Sequence, residues 1–141
     1  MNFAQASILV SSSQPDKLAL FYSLLLESRP IQGITDKDFV VKPKNFIPIS
    51  FFKPSGKRVP LLDSKCSISL CLTEPASKEP LLELVEWVKE ICSYGGKVAD
   101  EPRLEPFGAE AWVSDIEGNN FLVFVPMEQP CENESIGDTN Q

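Results

Sequence analysis

The sequence predicts an α+β domain in which one strand–helix–three-strand unit is written twice. Three observations carry this. Two apolar stripes of helical period recur, each opened by a serine and a proline. Each is preceded by a short alternating run and followed by short runs rich in Ile, Val and Phe. A turn-rich stretch from Pro54 to Asp63 separates the two copies.

The first copy begins with a strand over residues 4–11, with Ile8 and Val10 on one face and Gln5, Ser7 and Leu9 on the other. Ser13-Gln14-Pro15-Asp16 reads as a helix start, with Ser13 as N-cap, proline in the first turn and an acid at the capping-box position. Leu18, Phe21, Tyr22 and Leu25 follow at i, i+3, i+4 and i+7, a stripe that needs a sheet to cover. The helix stops before Pro30, since the residue preceding proline is pushed out of the α region. Ile31–Thr35, Asp38–Lys42 and Asn45–Lys53 read as a strand and a hairpin.

In the second copy Cys66–Thr73 alternates Ile68, Leu70 and Leu72 against Ser67, Ser69 and Cys71. Ser77-Lys78-Glu79-Pro80 is again a cap with proline in the first turn. Leu81, Leu84, Val85, Val88 and Cys92 form the second stripe, which Tyr94-Gly95-Gly96 ends. Lys97–Arg103, Glu110–Asp115 and Asn120–Val125 complete the strands. Matching Val10 with Leu72, and Asn45-Phe46-Ile47 with Asn120-Phe121-Leu122, aligns the copies. Neither half can bury a sheet face alone, so residues 1–126 form a single domain. Module one covers about residues 3–54, a linker about 55–64 and module two about 65–126. Residues 127–141 are polar, acidic and patternless, an expected disordered tail.

Composition narrows the chemistry. The 141 residues are 43% hydrophobic and 23% charged, as in an ordinary globular protein. There is no histidine, which excludes Ser–His and Cys–His nucleophile pairs, an imidazole base and every His-containing metal site. The four cysteines, Cys66, Cys71, Cys92 and Cys131, lack C-x-x-C spacing. Net charge is −7, but four of the twenty acids follow Pro126, where no base lies, so residues 1–126 carry only three more acids than bases. Such a surface offers no clustered cations for nucleic acid. No apolar stretch approaches the roughly 20 residues of a membrane span. The opening Met-Asn-Phe-Ala-Gln-Ala-Ser lacks the basic start and apolar run of a leader, so a cytoplasmic protein with reduced cysteines is expected.

Several residues also carry a resemblance. Phe21-Tyr22, Gly95-Gly96-Lys97-Val98, Pro106-Phe107-Gly108, Trp112-Val113-Ser114-Asp115 and Glu117-Gly118-Asn119-Asn120-Phe121, placed on a doubled βαβββ unit, resemble the vicinal oxygen chelate superfamily. That superfamily includes glyoxalase I, extradiol dioxygenases and bleomycin-resistance proteins. The resemblance covers residues 3–126 and implies a curved mixed sheet closing into a cup. It also implies four metal-ligand positions in metal-dependent members, one on each first strand and one on each last strand. They map to Gln5, Ser67, Ile47 and Leu122. Two aliphatic residues, an amide and a hydroxyl cannot hold a divalent cation, so no metal and no cofactor are expected.

Strand parity then gives the expected cup lining: Gln5, Ser7, Ser67, Ser69 and Cys71 from the first strands, with Ile47, Ile49, Phe51, Leu122 and Phe124 from the last. Arg103 near the rim offers a bidentate partner for a ligand carboxylate or, alternatively, a surface pair with Glu101 or Glu105; Phe107 and Trp112 border the cup. Cys71 has no base to activate it and reads as a structural thiol. The lysines and Arg58 between Lys42 and Lys65 read as a solvated edge, and Trp87 as core or helix surface. The resulting expectation is a protein that holds a small, largely apolar or aromatic molecule without catalysis. The alternatives are a metal-dependent lyase, isomerase or extradiol-type dioxygenase with a non-standard site, and a subunit whose cup is a protein–protein surface. Pairing into a homodimer is common in the family and is not decided by the sequence.

Overall fold

The computed structural model describes residues 2, 4, 6–55 and 69–129. Gln5, Ser67, Cys66, Cys131, nearly all of the linker and the tail beyond 129 lie outside the described residues. The elements run β1 (Ile8–Ser11), α1 (Pro15–Leu25), β2 (Ile31–Gln32), β3 (Phe39–Val41) and β4 (Ile49–Phe52), then β5 (Cys71–Thr73), α2 (Pro80–Ser93), β6 (Lys97–Glu105), β7 (Gly108–Ser114) and β8 (Asn120–Pro126). The doubled unit is therefore observed.

The strands form two four-stranded mixed sheets of the same topology, β1-β4-β3-β2 and β5-β8-β7-β6. In each, the first strand runs parallel to the last, and the other pairs are antiparallel. A parallel neighbour requires a crossover, and the helix that supplies it covers one sheet face. α1 packs on β3 and β4, while α2 packs on β6, β7 and β8. Leu18, Phe21, Tyr22 and Leu25 of α1 are buried as their spacing predicts, with Val41, Ile49 and Phe51 among the residues of the same core. The α2 stripe is Leu84, Val88 and Ile91; Cys92 is exposed, one position round from the buried face. Beneath it lie Ala109, Ala111, Val113, Phe121, Val123 and Val125. No described helix is long and apolar enough to cross a membrane.

Both helix starts differ from expectation in the same way. Pro15 and Pro80 occupy the first turn, but the N-cap residues are Gln14 and Glu79, without a side-chain cap bond. The Ser12 and Ser77 hydroxyls instead accept the backbone N–H groups of Gln14 and Glu79, each at 3.0 Å. Ser13 serves neither role; its backbone N–H and its hydroxyl both donate to Glu117, at 2.8 and 2.5 Å. A serine in such a turn has several partners in reach, and a distant carboxylate outcompetes the local one here. The helix ends also match. Ser28 N–H bonds Ser23 C=O, and Gly96 N–H bonds Ile91 C=O, with Glu27 and Gly95 at positive φ between cap and bond. Past the last strand, Met127 and Glu128 still donate backbone bonds to Phe107 and Ser77, so pairing runs beyond Pro126.

The modules meet through α1 and the β7–β8 turn. Tyr22 stacks on Phe51 of sheet one at 5.3 Å and lies 5.9 Å from Phe121 of sheet two. Its hydroxyl donates to Asp115 at 2.7 Å. Asp115 is only 3% exposed, and it also accepts the backbone N–H groups of Glu117 and Asn119 and the Asn119 amide. Gly118, at φ 86°, takes the left-handed turn position that closes the loop. The Asp115–Asn119 motif is thus a turn whose carboxylate pins the other module's helix. Burial, reinforced by Asp115, holds the Tyr22 phenol far above its usual range, so it remains a proton donor. Partial burial works to raise the Glu117 carboxyl, but the hydrogen bonds it accepts, first from the Ser13 hydroxyl, outweigh burial and keep Glu117 below its ordinary value.

Replacing Tyr22 by Phe removes one bond to a buried carboxylate and leaves the packing. Urea unfolding of Tyr22→Phe is expected to show a loss of about 1.5–3 kcal/mol. Tyr94→Phe, which deletes the exposed Tyr94–Glu90 bond, should cost less than about 0.5 kcal/mol. Equal small losses would remove Asp115 as the clasp.

Candidate functional site

The face of sheet two turned away from α2 is where the candidate residues gather. Along β7, Ala109, Ala111 and Val113 are buried towards α2, while Glu110, Trp112 and Ser114 alternate with them and are half-buried. Along β8, Phe121, Val123 and Val125 face α2, and Leu122 and Phe124 point the other way. Pairing carries this parity across the sheet: Cys71, Leu122, Trp112 and Asp100 form one row, and Thr73, Phe124, Glu110 and Arg103 the next. Phe107, 54% exposed, folds over this face to bring its ring 5.8 Å from Phe124. Six expected site residues, Cys71, Arg103, Phe107, Trp112, Leu122 and Phe124, are therefore neighbours. Ser69 lies exposed just before β5 on the Cys71 parity.

Sheet one departs from expectation. Ile49 and Phe51 do not line an open face; both are 0% exposed, and Phe51 stacks on Tyr22. Ile47 is exposed and precedes β4. The reason is register. Val10 pairs with Phe51 as Leu72 pairs with Val123, so the counterpart of Leu122 is Ser50, three residues beyond Ile47. Asn45-Phe46-Ile47 looks like Asn120-Phe121-Leu122, yet Asn45 sits in a turn at φ 64° and β4 begins only at Ile49. An odd shift exchanges the two faces of a strand. The open face of sheet one consists of Leu9, Ser50, Val40 and Ile31 in one row, with Ser11 and Phe52 in the next. Ser7 is exposed just before β1. Ser50 and Phe52 escaped the sequence reading because the repeat alignment put their parity on the wrong side.

The corrected register does not create a metal site. The last-strand positions are Ser50 and Leu122, and the first-strand positions, Gln5 and Ser67, lie outside the described residues. A serine and a leucine add no charge or coordinating pair, so this donor set does not fit a divalent cation. Among the described residues no group of three or more Cys, Asp or Glu side chains is arranged to hold one.

The electrostatics of the face centre on Arg103. Its guanidinium contacts Glu110 at 3.0 Å, Glu105 at 3.5 Å and Asp100 at 3.6 Å. Glu105 is one of the two acids the sequence paired with it; Glu101 is not among these contacts. The hydrogen bond that Arg103 donates to Glu110, then the charge of Asp100, raises the pKa of Arg103 further. An arginine already facing three carboxylates is not free to receive a ligand carboxylate, which corrects that expectation. A separate surface cavity of about 500 Å³ lies along α2, lined by Glu74, Glu83, Glu86, Trp87, Lys89 and Glu90. It shares no residue with the open face. Burial, then Glu83 and Glu90, raises the Glu74 carboxyl there.

The two faces of β8 give a direct contrast. Phe121→Glu places a carboxylate in the core and is expected to cost several kcal/mol. Leu122→Glu reaches water from the open face and should cost less than half as much in urea unfolding. Equal collapse would mean that the face is closed.

Comparison with known proteins places this geometry. No protein-family model matches the chain, and no curated protein matches it by sequence. Among solved structures it is similar to a hypothetical protein from S. aureus, at 16% identity and TM-score 0.68, with 89% of this chain and 95% of that chain covered. It is similar also to a glyoxalase/bleomycin resistance protein/dioxygenase family enzyme from Burkholderia phytofirmans, at 16% identity and TM-score 0.65, covering 86% and 97%. A genomically encoded fosfomycin resistance protein from Listeria monocytogenes follows at 14% identity and TM-score 0.64, covering 90% and 96%. The likeness is one of fold, over nearly the whole of each chain.

Proposed function

From a chain with the fold of the glyoxalase, bleomycin-resistance and dioxygenase proteins, we infer a binding protein. It holds a small, largely apolar or aromatic molecule against the open face of sheet two and uses no catalytic metal. The observation that supports this is the gathering of Phe107, Trp112, Leu122 and Phe124 on one half-exposed face. Ordinary sheet faces turned to water alternate to polar residues; this one presents three aromatic rings and a leucine. A ligand that covers about 100 Å² of such surface gains roughly 2.5 kcal/mol from burial alone. Stacking on Trp112 adds to that.

Polar groups at the margin supply orientation. Cys71 and Thr73 lie beside Leu122 and Phe124 on β5, and the Arg103 cluster lies beyond Glu110 at the opposite edge. A mainly apolar surface with a few placed polar groups is the composition of small-molecule sites. Leu122 and Ser50 supply neither a carboxylate nor an imidazole, and for that reason the metal-dependent alternative ranks second.

The test uses the neutral fluorescent probe N-phenyl-1-naphthylamine. Saturable binding is expected, unchanged by EDTA. Trp112→Ala should weaken it about tenfold, corresponding to about 1.4 kcal/mol, while Trp87→Phe on α2 leaves it unchanged. Equal affinity in the wild type and Trp112→Ala would place the probe elsewhere and overturn the assignment. So would a requirement for a stoichiometric metal ion.

A further inference from the structure

Two aromatic rings on the open face of sheet two each stand opposite an acid. Trp112 on β7 pairs with Asp100 on β6, and Phe124 on β8 pairs with Glu110 on β7. Directly opposed side chains of an antiparallel pair have their Cβ atoms about 4.5–5.5 Å apart. A group that meets the ring of Trp112 is therefore also within reach of the Asp100 carboxylate.

Asp100 comes to this face through an irregularity in β6. Asp100 pairs with Trp112 and Arg103 with Glu110, so Glu101 and Pro102 together stand opposite Ala111 alone. In a regular strand, residues three apart point to opposite faces. The extra residue makes a β-bulge, and Pro102, which has no N–H to give the ladder, lies within it. The bulge brings the side chains of Asp100 and Arg103 to one side, where they approach to 3.6 Å.

Arg103 does not occupy all of the acids around it. Among the described residues its guanidinium hydrogen-bonds Glu110 alone, through Oε1. Asp100 is attracted at 3.6 Å without such a bond, and its side chain is 53% exposed, open to a further donor. The other base on this parity is Lys97, opposite Ser114 at the start of β6. Asp100, Glu105 and Glu110 thus outnumber the two bases, and two of those acids lie opposite the rings.

We propose that the guest of this face is a monocation with an aromatic body, a primary or secondary aryl-alkyl amine. Its ammonium lies between Trp112 and Asp100 while its ring covers Leu122 and Phe124. This charge preference rests on the binding role assigned to the face above. An ammonium over an indole gains cation–π attraction, and Asp100 accepts its N–H. A neutral guest keeps only the apolar contact. A carboxylate meets an arginine already bonded to Glu110, with two further acids beside it.

Equilibrium dialysis of the full chain with three probes of one ring system tests this: 1-naphthylmethylamine, 1-naphthalenemethanol and 1-naphthoate. At neutral pH they are cationic, neutral and anionic. In about 0.01 M salt the amine should bind at least about fivefold tighter than the alcohol, and the naphthoate weakest. About 1 M salt should shrink that ratio, since the Debye length falls to about 3 Å. Asp100→Asn, shown to be folded by circular dichroism, should bring the amine to within about twofold of the alcohol. It should leave the alcohol unchanged. Glu86→Gln, which removes an equal charge from the exposed side of α2, should change neither. Trp112→Ala should weaken all three probes. If it does so while amine and alcohol bind alike, the face holds its guest but the cation preference is overturned. If no probe responds to Trp112→Ala, the face is not the site and the ammonium position falls with it. An amine preference that survives Asp100→Asn, or one lost in Glu86→Gln, would also overturn it.

Discussion

The buried hydrogen bond from Tyr22 to Asp115 ties the helix of the first module to the last turn of the second. Two small modules, each with one helix on one four-stranded sheet, bury little surface alone. The Tyr22 ring lies between Phe51 of the first sheet and Phe121 of the second, and its hydroxyl meets Oδ2 of a carboxylate whose Oδ1 already accepts two backbone donors of the β7–β8 turn. A buried carboxylate is tolerated only when its acceptor positions are filled. Asp115 fills them from both modules at once. Its turn is thereby fixed to α1, and Ser13 and Glu117 extend the clasp to the start of that helix.

The open face follows from this arrangement. With both helices on the outer faces and joined through the clasp, each sheet is left with a second face that no described helix covers. On sheet two, the small Ala109 and Ala111 lie under α2 while Trp112 and Glu110 alternate to the other side. The strand spends its bulk on the open face rather than in the core. Arg103 is neutralised three times over by Glu110, Glu105 and Asp100. The face therefore presents aromatic surface beside a cluster with surplus negative charge, which suits an uncharged or weakly cationic guest better than an anion.

Much of the fold was legible because its signals are local. The stripes Leu18–Leu25 and Leu84–Val88, the prolines that open both helices, and Gly95-Gly96 at the end of α2 all act within a few residues. The Asp115–Asn119 motif was visible as a pattern, but its work was not. That Asp115 receives Tyr22 and Glu117 receives Ser13 are contacts between residues about a hundred positions apart, and no spacing rule reaches that far. The site was legible on sheet two, where β8 alternates without interruption. It failed on sheet one because Asn45-Phe46-Ile47 imitates a strand start that the turn at Asn45 denies, and one odd shift exchanged Ile49 and Phe51 for Ser50 and Phe52. The pairing of Arg103 with Glu105 was legible from proximity; its partnership with Glu110 required the β6–β7 register.

An apolar guest on the open face of sheet two is held without a metal in the reading proposed above. Native mass spectrometry of the full chain as purified, with metal analysis on the same sample, tests it most directly. A fraction of molecules is expected to carry a small organic adduct that Trp112→Ala removes, with metal well below one ion per chain. One tightly held ion per chain, with the adduct present only when the ion is present, would contradict it.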